Sequence, residues 1–234
     1  MATLPDPTLF FSTLGDKLEP SLKSHLKNVY ASLSLSLISA SVGGYIHLFT
    51  DLLKHNTWIT LLSLGFLILL FLTQDNGKNG HLRLLYLQGF AFTTGLSLGP
   101  LLDMVIQIDP TIVPSAFIGT AVIFVCFSLS AMFSNQRQWL YLGGTLTSAM
   151  TMLLLLSLMN IFIGSQILFQ VHIYLGFAVM CGFILYDTQL IIEKRRRGDQ
   201  DFIWHSIELF IDFIQVFRYL IVILSQKEQK KKNK

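Results

Sequence analysis

Three acids stand inside stretches of chain that are otherwise apolar: Asp187, Glu208 and Asp212. A charge at the centre of a bilayer costs about 2.5–3.5 kcal/mol on insertion scales, so such groups persist when they turn inward and pair. Asp187 lies in Gly182-Phe-Ile-Leu-Tyr-Asp-Thr-Gln189, while Glu208 and Asp212 are followed by Gln215, Arg218 and Tyr219. His205, Glu208, Asp212, Gln215 and Tyr219 are spaced by alternating steps of three and four residues, which places them on one face of a helix. Arg218 points largely the other way and is expected to pair elsewhere or to snorkel towards an interface. The pattern predicts that Asp187 meets Asp212 across two helices. Two carboxylates in a low-dielectric site cannot both ionise cheaply, so they share a proton and respond to pH. Oxygen ligands also suit a hard cation such as Ca²⁺. A purely structural, hydrogen-bonded polar pair is the alternative.

The elements that position these residues follow from composition. The 234 residues are 52% hydrophobic and only 13% charged, against roughly 25% charged in soluble domains. Mean hydropathy is +0.57. Too few charges remain to coat a soluble surface, so apolar surface must meet lipid. Seven segments approach the ~20 residues that a bilayer core needs: about Asn28 to Phe49, Thr57 to Thr73, Leu82 to Ile106, Ile112 to Phe133, Trp139 to Phe162, Ile167 to Ile192 and Phe202 to Leu224. Helix is the fold class, because lipid satisfies no backbone hydrogen bond and period-two alternation is missing. The expected architecture is an all-α, seven-helix membrane bundle over residues 28–225. A polar tail of residues 1–27 precedes it and a lysine-rich tail of residues 226–234 follows. Gly95 and Gly99 form a GxxxG in the third segment, and Gly43-Gly44, Gly143-Gly144 and Gly176 mark further close approaches of helices. Gly99-Pro100 is expected to kink or break the third helix.

Basic residues alternate between connections. Lys17, Lys23 and Lys27 precede the first segment, Lys78 and Arg83 lie in the second connection, Arg137 in the fourth, and Lys194, Arg195, Arg196 and Arg197 in the sixth. The intervening connections carry only Lys54. This layout puts the N-terminus in the cytosol. The tail residues Lys227, Lys230, Lys231, Lys232 and Lys234 conflict with it. Seven full crossings would carry them to the far side, whereas a re-entrant seventh segment would keep them cytosolic. The ending Lys231-Lys232-Asn233-Lys234 also looks like a dilysine retrieval signal, which is read in the cytosol. Length favours a crossing and charge favours a cytosolic tail, which is the expectation here. The positive balance of the whole chain, +3, resides in this tail.

Other chemistries find no support. There is no HExxH spacing, no phosphate-binding glycine loop and no GxSxG. An intramembrane aspartyl protease would need a GxGD context that Asp212 lacks. No enzyme is expected, no cofactor, and no resident metal. Cys126 and Cys181 lie in apolar runs and read as small core residues. His47 and His172 sit near segment ends and read as interface residues, while Asp103 and Asp109 read as turn or cap residues. No apolar region opens the chain, so a cleaved signal peptide is not expected.

The run Gly182-Phe-Ile-Leu-Tyr-Asp-Thr-Gln-Leu-Ile-Ile-Glu-Lys194 resembles the Bax inhibitor-1 family, also called the transmembrane Bax inhibitor motif family. The likeness continues through Gly198-Asp-Gln-Asp-Phe-Ile-Trp204 and Leu209-Phe-Ile-Asp-Phe-Ile-Gln-Val-Phe-Arg218. It includes Gly89-Phe-Ala-Phe92, Leu98-Gly-Pro100, Ala116-Phe-Ile-Gly-Thr-Ala121 and, as in animal members, His25-Leu-Lys-Asn-Val-Tyr-Ala31. The resemblance implies a seven-helix bundle with the last helix near its centre, residence in the endoplasmic reticulum membrane, suppression of apoptosis and a pH-dependent Ca²⁺ leak. It implies that Asp187 and Asp212 are the two-aspartate pH sensor. Partners implied are anti-apoptotic Bcl-family proteins and the lumen-stress sensor with endoribonuclease activity, beside membrane lipid and a second copy in a homo-oligomer. Nucleic acid is not expected. Bacterial relatives latch the aspartates with an arginine at the end of the second helix. Here Asp75 to Arg83 has no arginine in that register, leaving Lys78 and Arg83 as substitutes. The tail lysines Lys230, Lys231, Lys232 and Lys234 are the candidate partner or retrieval element.

Overall fold

A computed structural model describes residues 19–50, 58–134 and 138–232. Lys17, Lys54, Arg137 and Lys234 lie outside the described residues. Among the described residues eight α-helices follow one another: α1 Pro20–Phe49, α2 Trp58–Leu72, α3 Gly80–Ser97, α4 Gly99–Ile108, α5 Ile112–Phe133, α6 Gly143–Ile163, α7 Gln166–Arg196 and α8 Phe202–Lys232. A short 3₁₀ turn, Leu140–Leu142, leads into α6. No strand occurs among the described residues. The eighth helix arises because the third apolar segment is broken, as Gly99-Pro100 predicts. Pro100 cannot donate to the preceding turn and its ring clashes there, so α3 ends at Ser97 and α4 sets off at 41° to it.

Helix ends differ from the apolar segments wherever polar residues extend a helix beyond lipid. α1 starts at Pro20 rather than Asn28, with proline in its first turn where a missing N–H costs nothing. Leu22, His25 and Leu26 are buried there, so part of the expected N-terminal tail belongs to the packed bundle. α8 continues through Lys232 for 31 residues, about 46 Å. Ser165 caps α7, and Gly164 ends α6 in the left-handed conformation at φ 65°.

Four helical stretches are each long and apolar enough to cross a membrane: α1, α5, Leu140–Ile163 and α7, with the bent pair α3–α4 as a fifth. The expected count of seven is therefore not matched by length and composition. α2 has only 15 residues, and α8, the most polar of the long helices, is outside this group. The chain is nonetheless a helical, multi-pass membrane bundle. α8 occupies its middle, packed against α1, α3, α4, α5 and α7, while α2 leans on α3 and α6 on α7 from outside. The outer helices present exposed Leu61, Phe71, Leu154, Leu158, Ile161 and Phe162, which suits lipid contact.

α8 runs from one end of the bundle to the other. Its first turns meet the start of α1, where the Ser206 hydroxyl donates to the Val29 carbonyl at 3.1 Å. At its far end Lys232 donates to the Ile108 carbonyl at the end of α4. Glu208 of α8 is turned against Lys194 of α7. The start of α1 and the end of α8 lie at opposite ends of the bundle. At the α4–α5 turn, the Thr111 N–H and hydroxyl donate to Asp109 Oδ1 at 2.8 and 2.7 Å, holding its carboxyl below the usual range. Asp109 is a turn residue, as expected.

The tightest helix crossing uses glycine. A Cβ on Gly43 would run into the Phe92 carbonyl, and one on Gly95 into the Ala40 carbonyl. Backbone cannot retreat as a flexible side chain does. Gly95→Ala is expected to cost about 1–3 kcal/mol, read by thermal unfolding in detergent. Gly144→Ala, at a position with open space around it, is the neutral control.

Candidate functional site: an acidic cluster between the last two helices

α7 and α8 are joined by a short loop and run antiparallel, which brings Asp187 back beside the second and third turns of α8. The Asp187 and Asp212 carboxyl groups meet between the helices within hydrogen-bonding reach. Asp212 is 5% exposed and Asp187 half-buried. Glu208, one turn earlier on α8, acts electrostatically on both. Its Oε1 accepts from Lys194 Nζ at 2.6 Å, while its Oε2 and Asp212 Oδ2 are buried without a hydrogen-bond donor. Lys194 thus pairs with Glu208 and acts electrostatically on Asp187. Two carboxyls this close in a low-dielectric site cannot both ionise cheaply. Among the described residues no group of three or more His, Cys, Asp or Glu side chains is arranged to hold a metal ion.

The remaining polar face divides among several neighbours. His205 does not reach the aspartates. It is fully buried, and its Nδ1 lies 2.9 Å from Nε2 of His25 on α1. Its Nε2 is 3.6 Å from Asp199. Gln215 is half-buried, and Arg218 is exposed on the opposite side, as its spacing predicts. Tyr219 covers Gly176, where any side chain would strike its ring, and lies 6.2 Å from His172.

The latch candidates are placed elsewhere. Lys78 is exposed on the α2–α3 turn. Arg83 is 3% exposed and makes a two-pronged ion pair with Asp201, at 2.9 and 2.5 Å, with Asp75 at 3.9 Å. It fastens α3 to the α7–α8 loop rather than latching Asp187 or Asp212. Asp201 also caps α8 by accepting from the Trp204 N–H at 3.0 Å. That role is written in the sequence, since an Asp before an apolar helix is a cap signal. The partnership of Arg83 and Asp201, 118 residues apart, and that of His25 with His205 leave no local signal. At the other end of α8, Lys227, Lys230, Lys231 and Lys232 are exposed, and Lys231 lies 3.5 Å from Glu228.

The sequence profile of the family described as "Inhibitor of apoptosis-promoting Bax1" matches residues 22–229, which takes in every residue of the cluster. The chain belongs to this family. Among curated relatives in the Bax inhibitor family, "Probable Bax inhibitor 1" of Paralichthys olivaceus is 50% identical over 216 residues, covering 92% of this chain and 91% of its own. "Bax inhibitor 1" of Homo sapiens is 50% identical over 215 residues, with the same two shares. "Bax inhibitor 1" of Arabidopsis thaliana is 39% identical over 216 residues, covering 92% of this chain and 86% of its own. Apoptosis-inhibiting membrane proteins are thus the company this bundle keeps.

Proposed function

We propose that the chain restrains apoptosis from the endoplasmic reticulum membrane as a pH-sensitive Ca²⁺ leak, gated by Asp187 and Asp212. The observation that carries the reading is the meeting of these two carboxyls where α7 packs on the central helix α8. With one proton between them, the pair forms a charge-assisted hydrogen bond, roughly twice as strong as a neutral one. That bond ties α7 to α8 and keeps the path shut. A second proton removes the charge, weakens the tie and favours opening, so flux rises as pH falls. Glu208 and Lys194 set the local charge around the pair. The basic start of α1 faces the cytosol, and a retrieval role for Lys230, Lys231, Lys232 and Lys234 requires the end of α8 to face it too. The reading needs no catalysis.

The test is Ca²⁺ efflux from liposomes between about pH 6 and about pH 8. Asp212→Asn is expected to flatten the pH profile. An unchanged flux and profile would sink the mechanism. The exposed lysines at the end of α8 favour a second reading, a scaffold for anti-apoptotic Bcl-family proteins and the stress-sensing endoribonuclease. It requires that end to face the cytosol. Truncation after Gln226 that abolishes protection while sparing efflux would favour it.

A further inference from the structure

At the end of the bundle remote from the α7–α8 loop, the short helix α4 forms one wall of an apolar cavity of about 350 Å³ that is open on its α1–α5 side, where Tyr45 and Phe117 are exposed. α1 contributes Gly44 and Leu48, α4 and its leading residue contribute Leu102 and Leu98, and α8 contributes Phe213 and Phe217. A lining this apolar offers water no partners, and with lipid against its open side the cavity stays dry. The α4 wall differs from the others. It is joined to α3 through the break at Leu98, whose N–H is shared at 3.2 Å between the Thr94 and Gly95 carbonyls, and Pro100 withholds the next donor.

What holds α4 against α1 is polar. His47, in the last turn of α1, is 2% exposed, and its Nε2 lies 3.3 Å from Oδ2 of Asp103 on α4. The imidazole fits because Gly99 has no side chain, since a Cβ there would penetrate the ring. Neither ring nitrogen makes a hydrogen bond, so Asp103 supplies electrostatic attraction while the ring goes without the partners that water would give it. A buried polar group left unbonded costs about 1–3 kcal/mol, which is recovered when the ring is wetted. Attraction to Asp103 and the lost hydration oppose each other, which leaves the closed position only slightly favoured.

We infer that α4 is a lid hinged at Leu98-Gly99-Pro100 and latched by His47 and Asp103, whose opening lets water into the dry cavity beside Phe213 and Phe217. Dewetted apolar constrictions act as gates. As the far-end gate of an ion path the lid rests on the function proposed above; as a moving wall it does not.

The test uses the full chain in liposomes with Cys126→Ser and Cys181→Ala, and Leu102→Cys as a probe inside the cavity. Labelling by a membrane-impermeant maleimide reports opening. Asp103→Asn and His47→Leu are each expected to speed labelling about tenfold, the factor that loss of one charged contact allows. His47→Gln, which keeps a donor towards Asp103, should label at the parent rate. Equal rates in all four proteins would overturn the lid. If His47→Leu fails to fold, the near-isosteric Asp103→Asn on its third-exposed side chain decides alone. Efflux from the same liposomes separates the two claims. Faster labelling with unchanged efflux retains the lid and overturns its place on the path, while a flat Asp212→Asn comparison overturns the proposed leak and leaves the labelling result standing.

Discussion

Asp201→Ala is expected to destabilise the bundle by about 3–5 kcal/mol, because it strands a buried guanidinium. Arg83 is 3% exposed and depends on Asp201 for both prongs of its ion pair. The same substitution removes the cap on the Trp204 N–H, and cap losses cost about 0.5–2 kcal/mol. Arg83→Ala should be milder. The Asp201 side chain is 23% exposed, so water can take the place of the guanidinium, and its cap survives. The double substitution should cost less than the sum of the two. Thermal unfolding in detergent reads all three. Equal losses for the two single variants would show that burial of Arg83 is not what makes the pair matter.

The second large effect concerns the pair itself. Asp187→Asn and Asp212→Asn each remove one carboxyl and with it the charge-assisted bond. Both are expected to abolish the rise of Ca²⁺ efflux as pH falls from about 8 to about 6. They act on one unit, so the double variant should add little to either. Additive changes would mean that the two aspartates titrate independently. Glu208→Gln differs in kind. It frees Lys194, now 2.6 Å from Glu208 Oε1, to approach Asp187, so the profile should move rather than vanish.

Much of this arrangement is legible in the sequence. Apolar runs locate the helices, Gly99-Pro100 marks the break, and the intramembrane acids mark the cluster. Burial in lipid leaves a strong local signature, because every charge inside it must be explained. The resemblance supplied the central position of the last helix. Other features are written only in three dimensions. The polar face of α8 reads as a single stripe, yet its first member, His205, faces α1 and its later members face α7, since several helices surround α8. Arg83 stands near the start of an apolar helix and reads as a substitute latch for the aspartates until Asp201 is seen across the bundle. His47 and Asp103 likewise read as an interface residue and a turn residue. Helix ends are blurred for a related reason. Residues 20–27 and 226–232 are polar, so hydropathy stops before the helices do. The lysine tail is read by charge alone, and charge sets no helix end: α8 continues through Lys232.

The central claim is that Asp187 and Asp212 hold one proton between them and that its occupancy governs the path. Infrared difference spectroscopy of the protein in liposomes tests it most directly, by titrating the carbonyl band of protonated carboxyls alongside Ca²⁺ efflux. The account predicts a protonated-carboxyl band near neutral pH that Asp212→Asn removes, and a further gain of band intensity that coincides with the rise in efflux. A spectrum without any protonated carboxyl above about pH 5, or one in which the band is unchanged by Asp212→Asn, would contradict it.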